Sequence, residues 1–157
     1  MKGPAAGVVS TVEFTAKAPK RGMRYEIFGS LDPATVREKI VQKQIGMNLV
    51  IRVVHDAIGL DAKGIATIID VKASTLEKRA AEAKKLEKAT QGDRAWRLAR
   101  IYDFAVEVIG DPSKAARWLR APNRFMKGRT PIEMLETEVG TQAVEQSLAA
   151  IGYGQVG

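Results

Sequence analysis

The chain has no cysteine and only one histidine, His55, in 157 residues. Disulfides, thiolate redox chemistry and cysteine-ligated zinc are therefore excluded, and one imidazole cannot supply a paired-histidine zinc site. Long apolar runs are missing too. "GMNLVI" and "YDFAVEVIG" stop far short of the ~20 residues that cross a bilayer, and Met1 to Gly22 lacks the apolar stretch of a secretory leader. These absences predict a soluble, cytoplasmic protein with no membrane partner. No activated nucleophile pair, phosphate-cradling glycine loop or metal constellation is visible, so the expected enzyme activity, catalytic residues, metal and cofactor are all none. One absence is local: Glu133 to Gly157 holds four glutamates and no lysine or arginine.

What is present is positive charge, +7 overall. It is uneven, because Asp93 to Ile132 carries nine basic and four acidic residues immediately before the Lys- and Arg-free segment. A basic body ending in an acidic segment favours two different partners over a single anionic ligand.

Residues 1–29 show no sustained period of 2 or 3.6 and read as a flexible arm, with "GVVSTVEF" a possible short strand. Beyond it the sequence reads as helices between short turns. Asp32-Pro33 is a cap followed by proline in the first helical position, opening a helix that ends at Gly46. A second helix is predicted over Leu49 to Ile58, and it carries His55 as a partly buried structural residue.

The segment "LDAKGIATIIDVKASTLEKRAAEAKKL" predicts a helix over Ala62 to Ile69 capped by Asp61, a turn over Asp70 to Ala73, and a second helix to about Leu86 opened by a Ser74-x-x-Glu77 capping box. This is the helix-turn-helix plan, whose second helix enters the DNA major groove. Ala66 stands where the helices need a small side chain, and Val71 and Leu76 fill the wedge between them. Ser74, Thr75, Lys78 and Arg79 are the candidate DNA contacts. Glycine is the expected residue at position 70, where the turn calls for positive φ, yet Asp70 stands there. The pattern alone fits operator DNA binding and an ordinary helical bundle with a solvated lysine face equally well.

Asp93 to Ile109 is an amphipathic helix burying Leu98, Ile101, Tyr102, Ala105, Val108 and Ile109. Arg94, Arg97 and Arg100 recur along its other side, where they suit phosphates, an acidic protein groove or plain solvent. Asp103 and Glu107 read as an exposed face. Asp111-Pro112 opens a short helix presenting Trp118 and Leu119 to a core. Thr130-Pro131-x-Glu133 supplies cap, proline and capping-box acid for the next helix, and Thr137 caps the last.

The segment "IGDPSKAARWLRAPNRFMKGRTPIEMLETEVGTQAVEQSLAAIGYG" resembles the C-terminal toxin-binding domain of the Xre/MbcA/ParS antitoxins. Gly110 to Pro112, Trp118-Leu119, Pro122-Asn123, Gly128 to Pro131, Leu135 to Gly140 and Gly152 to Gly154 follow the order and spacing of that pattern, the preceding "GLDAKGIATIIDVKASTLEKR" and "DRAWRLARI" look like its Xre helix-turn-helix and linking helix, and the resemblance covers about Gly46 to Gly154. Phe125-Met126-Lys127 and the arm before Gly29 depart from it. The resemblance implies a type II antitoxin that binds a RES-domain toxin, one that consumes NAD or transfers its ADP-ribose, and that blocks its active-site cleft. It also implies an autorepressor of its own operon, and because helix-turn-helix proteins commonly bind two half-sites as dimers, a homodimer is expected. Trp118, Asn123, Arg129, Thr130, Gly152, Tyr153 and Gly154 are the implied toxin-binding residues. Tyr25, Phe28 and the helix after Asp32 are candidates for the homodimer surface.

The expected fold is all-α, with an arm (1–29), an Xre-like helix-turn-helix domain (30–90) and a C-terminal helical toxin-binding domain (91–157). The competing function is a stand-alone transcription regulator whose C-terminal module oligomerises or binds a ligand.

Overall fold

The computed structural model describes residues 21–154. Among them it is all-α: α1 (Gly22–Phe28), α2 (Pro33–Val41), α3 (Met47–Ile58), α4 (Ala62–Ile69), α5 (Ala73–Ala81), α6 (Ala89–Ile109), α7 (Pro112–Arg120), a 3-10 turn (Arg124–Met126), α8 (Pro131–Met134) and α9 (Glu138–Gly152).

Side-chain caps set most of the helix starts. Asp32 accepts the Thr35 N–H and hydroxyl, which hold its carboxyl below the usual carboxylate range. Asp61, Asp111, Thr130 and Thr137 cap α4, α7, α8 and α9 by accepting backbone N–H groups of the first turn.

The organising element is α6, 21 residues and about 31 Å long at 1.5 Å per residue. Helices α1, α2, α4, α7 and α9 all pack against it. A single apolar cluster runs through both groups, from Met23 to Leu148. Ile40 of α2 comes so close to Gly92 of α6 that a Cβ there would stand 3.1 Å from it.

Two expectations are corrected. The arm read over residues 1–29 contains a helix, α1, whose Met23, Ile27 and Phe28 are buried; residues 1–20, including "GVVSTVEF", lie outside the described residues. Phe28 meets Trp96 of α6 edge to face, with ring centroids 5.0 Å apart. Asp103 of α6 accepts the Met23 N–H at 2.6 Å, the Arg24 N–H at 3.2 Å and Arg24 Nε at 2.8 Å. Asp103 therefore caps a helix distant in sequence instead of facing solvent. A seven-residue helix cannot hold itself together in water, so its order comes from α6, which no local periodicity reveals.

The second correction concerns α5. It starts at Ala73 behind Lys72, which makes no side-chain cap. The Leu76 N–H already donates to the Lys72 carbonyl, so the helix is under way before Ser74 and the expected capping box does not form. It also stops at Ala81, short of Leu86, because residues 84–86 turn back on the start of α3. There Met47 N–H donates to Lys84 O at 3.1 Å and Leu86 N–H to Ile45 O at 2.8 Å.

Candidate functional site: two surfaces joined by α6

The α4–α5 unit has helix-turn-helix geometry. Ala66 and Leu76 are buried between the helices and Val71 packs at the edge of the core. Asp70 sits at φ 63°, the left-handed conformation the turn requires, and its N–H donates to Ala66 O. Ser74 and Lys78 are exposed on α5 and Thr75 is half-buried. Arg79 does not project with them. Its Nη2 donates to Lys85 O at 3.1 Å and its Nη1 lies 3.3 Å from Glu87, so it fastens the turn after α5. His55, expected to be partly buried, is exposed on α3 beside Asp56, because the apolar stripe of that helix faces the other way.

The second surface is built by α7 to α9. Its most constrained feature is the corner Leu135-x-Thr137-x-x-Gly140. Leu135 is buried, and Thr137 Oγ1 accepts the Gly140 N–H at 2.9 Å. A Cβ on Gly140 would collide with the Met134 carbonyl oxygen. The glycine thus serves the close approach of α8 to α9. Asn123 organises the turn before α8: its side chain accepts the Phe125 N–H, its carbonyl accepts from Met126 and Gly128, and its N–H donates to Arg129 O. Thr130 is occupied as a cap, and Trp118 is half-buried against the core. Of the expected toxin contacts, Arg129 and Tyr153 reach furthest into solvent, at 68% and 84% exposure. Arg129 Nη1 stands 3.6 Å from Glu133. Gly152 closes α9 against Val108 of α6, and Gly154 follows at φ 81°.

The arginine row of α6 is enclosed by these elements. Arg94 donates to Ile68 O of α4, Arg97 donates to Leu135 O at 2.9 Å and lies 3.8 Å from Glu138, and Arg100 pairs with Glu145 of α9. These cations hold the two modules to their shared helix and are not a ligand grip. An open groove of about 450 Å³ separates Leu60 and α4, at Gly64 and Thr67, from Arg120, Ile132 and Glu136.

Tyr102 of α6 is fully buried and its hydroxyl has no hydrogen-bond partner. Burial, then the nearby charges of Asp103 and Glu26, push its pKa up to about 12. Among the described residues no three His, Cys, Asp or Glu side chains come together to hold a metal ion, and no helix is long and apolar enough to cross a membrane.

The family models divide the chain as the geometry does. Residues 46–100 match the antitoxin Xre-like helix-turn-helix domain, and residues 104–154 match the antitoxin Xre/MbcA/ParS C-terminal toxin-binding domain. The chain belongs to the Xre/MbcA/ParS antitoxin family. Curated relatives similar to this chain include proteins named antitoxin Xre. One, from Pseudomonas putida, is 44% identical over 41% of this chain and 42% of its own length, and one from Photorhabdus laumondii is 38% identical over 43% and 47%. The chain thus spans less than half the length of the curated relatives it matches. The fold is similar to that of a chain in the crystal structure of the M. tuberculosis MbcT–MbcA toxin–antitoxin complex, at TM-score 0.51 and 18% identity, covering 69% of this chain and 95% of that one. The dividing line between the two matched domains falls inside α6, the helix whose arginines contact α4 on one side and the α8–α9 corner on the other.

Proposed function

We propose that this chain neutralises a RES-domain toxin by seating the end of α9 and the residues after it in the toxin's NAD-binding cleft, and that it represses its own operon through α4 and α5. The observation that carries the first half is the division of α9. Val144 and Leu148 are buried, while Glu138, Val139 and Tyr153 point outward from a segment free of lysine and arginine. A cleft built for the pyrophosphate of NAD is cationic, so such a segment enters it without repulsion. The antitoxin performs no chemistry; it fills the site. Arg129 would add a polar contact beside this segment, whereas Asn123 and Thr130 shape the turn that aims it and Trp118 supports it from the core. Gly152 and Gly154 let the backbone pass close to the cleft wall.

For the second half, Ser74 and Lys78 would meet operator DNA in the cytoplasm, with Thr75 beside them at the start of α5. Two copies would read two half-sites as a homodimer. Phe28 belongs to the core, so a homodimer surface around α1 and α2 would use Tyr25, Leu31 and Val41, which are exposed. Co-expression of the full chain with the neighbouring RES-type gene product, followed by purification on one partner, tests the reading. Recovery of both proteins is expected, and failure of the toxin to co-purify would refute it.

A further inference from the structure

Between Asp111 and Glu133 the sequence has six basic residues and no acidic one. Lys114, Arg117 and Arg120 recur every third residue on α7, and Arg124 and Lys127 continue the line across the 3-10 turn; all five are exposed. None of the five forms a salt bridge with an acidic side chain among the described residues, in contrast to Arg97 and Arg100 of α6. Phe125, at 57% exposure, lies under the Arg124 guanidinium, which stands 5.1 Å from its ring centroid.

We propose that this strip is a second DNA-contacting surface, in which Arg117, Arg120, Arg124 and Lys127 hold backbone phosphates of a duplex beyond the bases that α5 meets. The inference rests on the helix-turn-helix reading given above and extends it into the other domain. Its position supports it. Arg120 lines the groove whose facing wall is Gly64 and Thr67 of α4, and the first helix of a helix-turn-helix is the one that crosses the DNA backbone. A duplex laid across α4 would therefore meet Arg120 on the facing wall, which Glu133 and Glu136 also line, and run on toward the other α7 cations.

The chemistry also favours phosphate over a protein partner. Guanidinium groups bind phosphate oxygens bidentately and need no apolar anchor. A stable protein interface is built around a buried core of large apolar side chains, and Phe125 is the only exposed large apolar residue between Asp111 and Glu133. A cationic extension also compensates for Arg79, which is committed to Lys85 and Glu87 and leaves α5 with fewer free cations.

Fluorescence anisotropy of the full chain against duplex DNA about two helical turns long, in operator and scrambled sequences over a series of salt concentrations, tests the proposal. The variant R117Q/R120Q/R124Q/K127Q should keep its circular dichroism spectrum, bind both duplexes about tenfold or more weakly, and lose roughly 3 to 4 units of log-log salt slope, at ~0.9 per phosphate contact. The variant S74A/K78Q should lose its preference for operator over scrambled sequence while keeping most of that slope. An unchanged slope in the quadruple variant, with operator preference still lost in S74A/K78Q, would overturn the second surface and leave the helix-turn-helix reading standing. No duplex binding by the unaltered chain at low salt would overturn both. A quadruple variant with normal DNA binding that no longer co-purifies with the toxin would assign the strip to an acidic protein surface and overturn the proposal.

Discussion

Two rows of cations with the same three-residue spacing meet opposite fates in this fold. Arg94, Arg97 and Arg100 on α6 are taken up by the Ile68 carbonyl, by the Leu135 carbonyl with Glu138, and by Glu145. Lys114, Arg117 and Arg120 on α7 stand free in solvent. The difference lies in what folds over each helix. The α8–α9 corner and α4 lie across α6 and bring acceptors to its polar side, whereas nothing among the described residues covers the outer face of α7. Spacing alone cannot tell a structural row from a binding row. The deciding property is whether acceptors are delivered from elsewhere in the chain.

Breaking the cover should have the largest effect. Gly140→Ala pushes a Cβ into the Met134 carbonyl and lifts the corner that covers Arg97, with an expected loss of about 3 kcal/mol in urea unfolding. Arg100→Ala leaves Glu145 half-buried without its partner and should cost about 1 to 2 kcal/mol by the same measurement. Arg117→Ala, the matched change on the open row, should stay within ~0.5 kcal/mol. Equal losses from Arg100→Ala and Arg117→Ala would erase the distinction between the rows.

The smallest effect at neutral pH belongs to Tyr102→Phe, which removes a buried hydroxyl that has no partner. It should be neutral or slightly stabilising. The consequence of the hydroxyl is expected at high pH. Its folded-state pKa, about 12, lies above the ordinary value of 10.0, so its contribution is complete below pH 10 and is lost as pH rises toward 12. The phenylalanine variant should lack that alkaline decline, and an unaltered decline would place its origin elsewhere.

The helical class, five side-chain caps and the helix-turn-helix wedge were legible because each is written within a few neighbouring residues. Asp70 shows the turn chemistry at work: the sequence calls for positive φ at that position, and the aspartate adopts it at 63°. The remainder depended on distant partners. The helix α1 exists through Asp103 and Trp96, about eighty and seventy residues away. Arg79 looks like a DNA contact until the chain after Ala81 turns back and offers it Lys85 O and Glu87. The motif glycine at 140 could be recognised in the sequence but was explained only by the position of the Met134 carbonyl. For the proposed binding surfaces, sequence marks the lysine-free segment and the basic excess before it, while the fold separates side chains that shape the turn, Asn123 and Thr130, from those exposed to solvent, Arg129 and Tyr153.

The central claim, that residues beyond α9 occlude a toxin's cleft, is tested most directly by toxin-catalysed NAD turnover in the presence of excess antitoxin truncated after Ile151. Gly152, Tyr153 and Gly154, the described residues among those removed, are exposed, so the truncated chain should remain folded and stay associated through α7 to α9. The account predicts that turnover returns while the complex persists. Full inhibition by the truncated chain would contradict it.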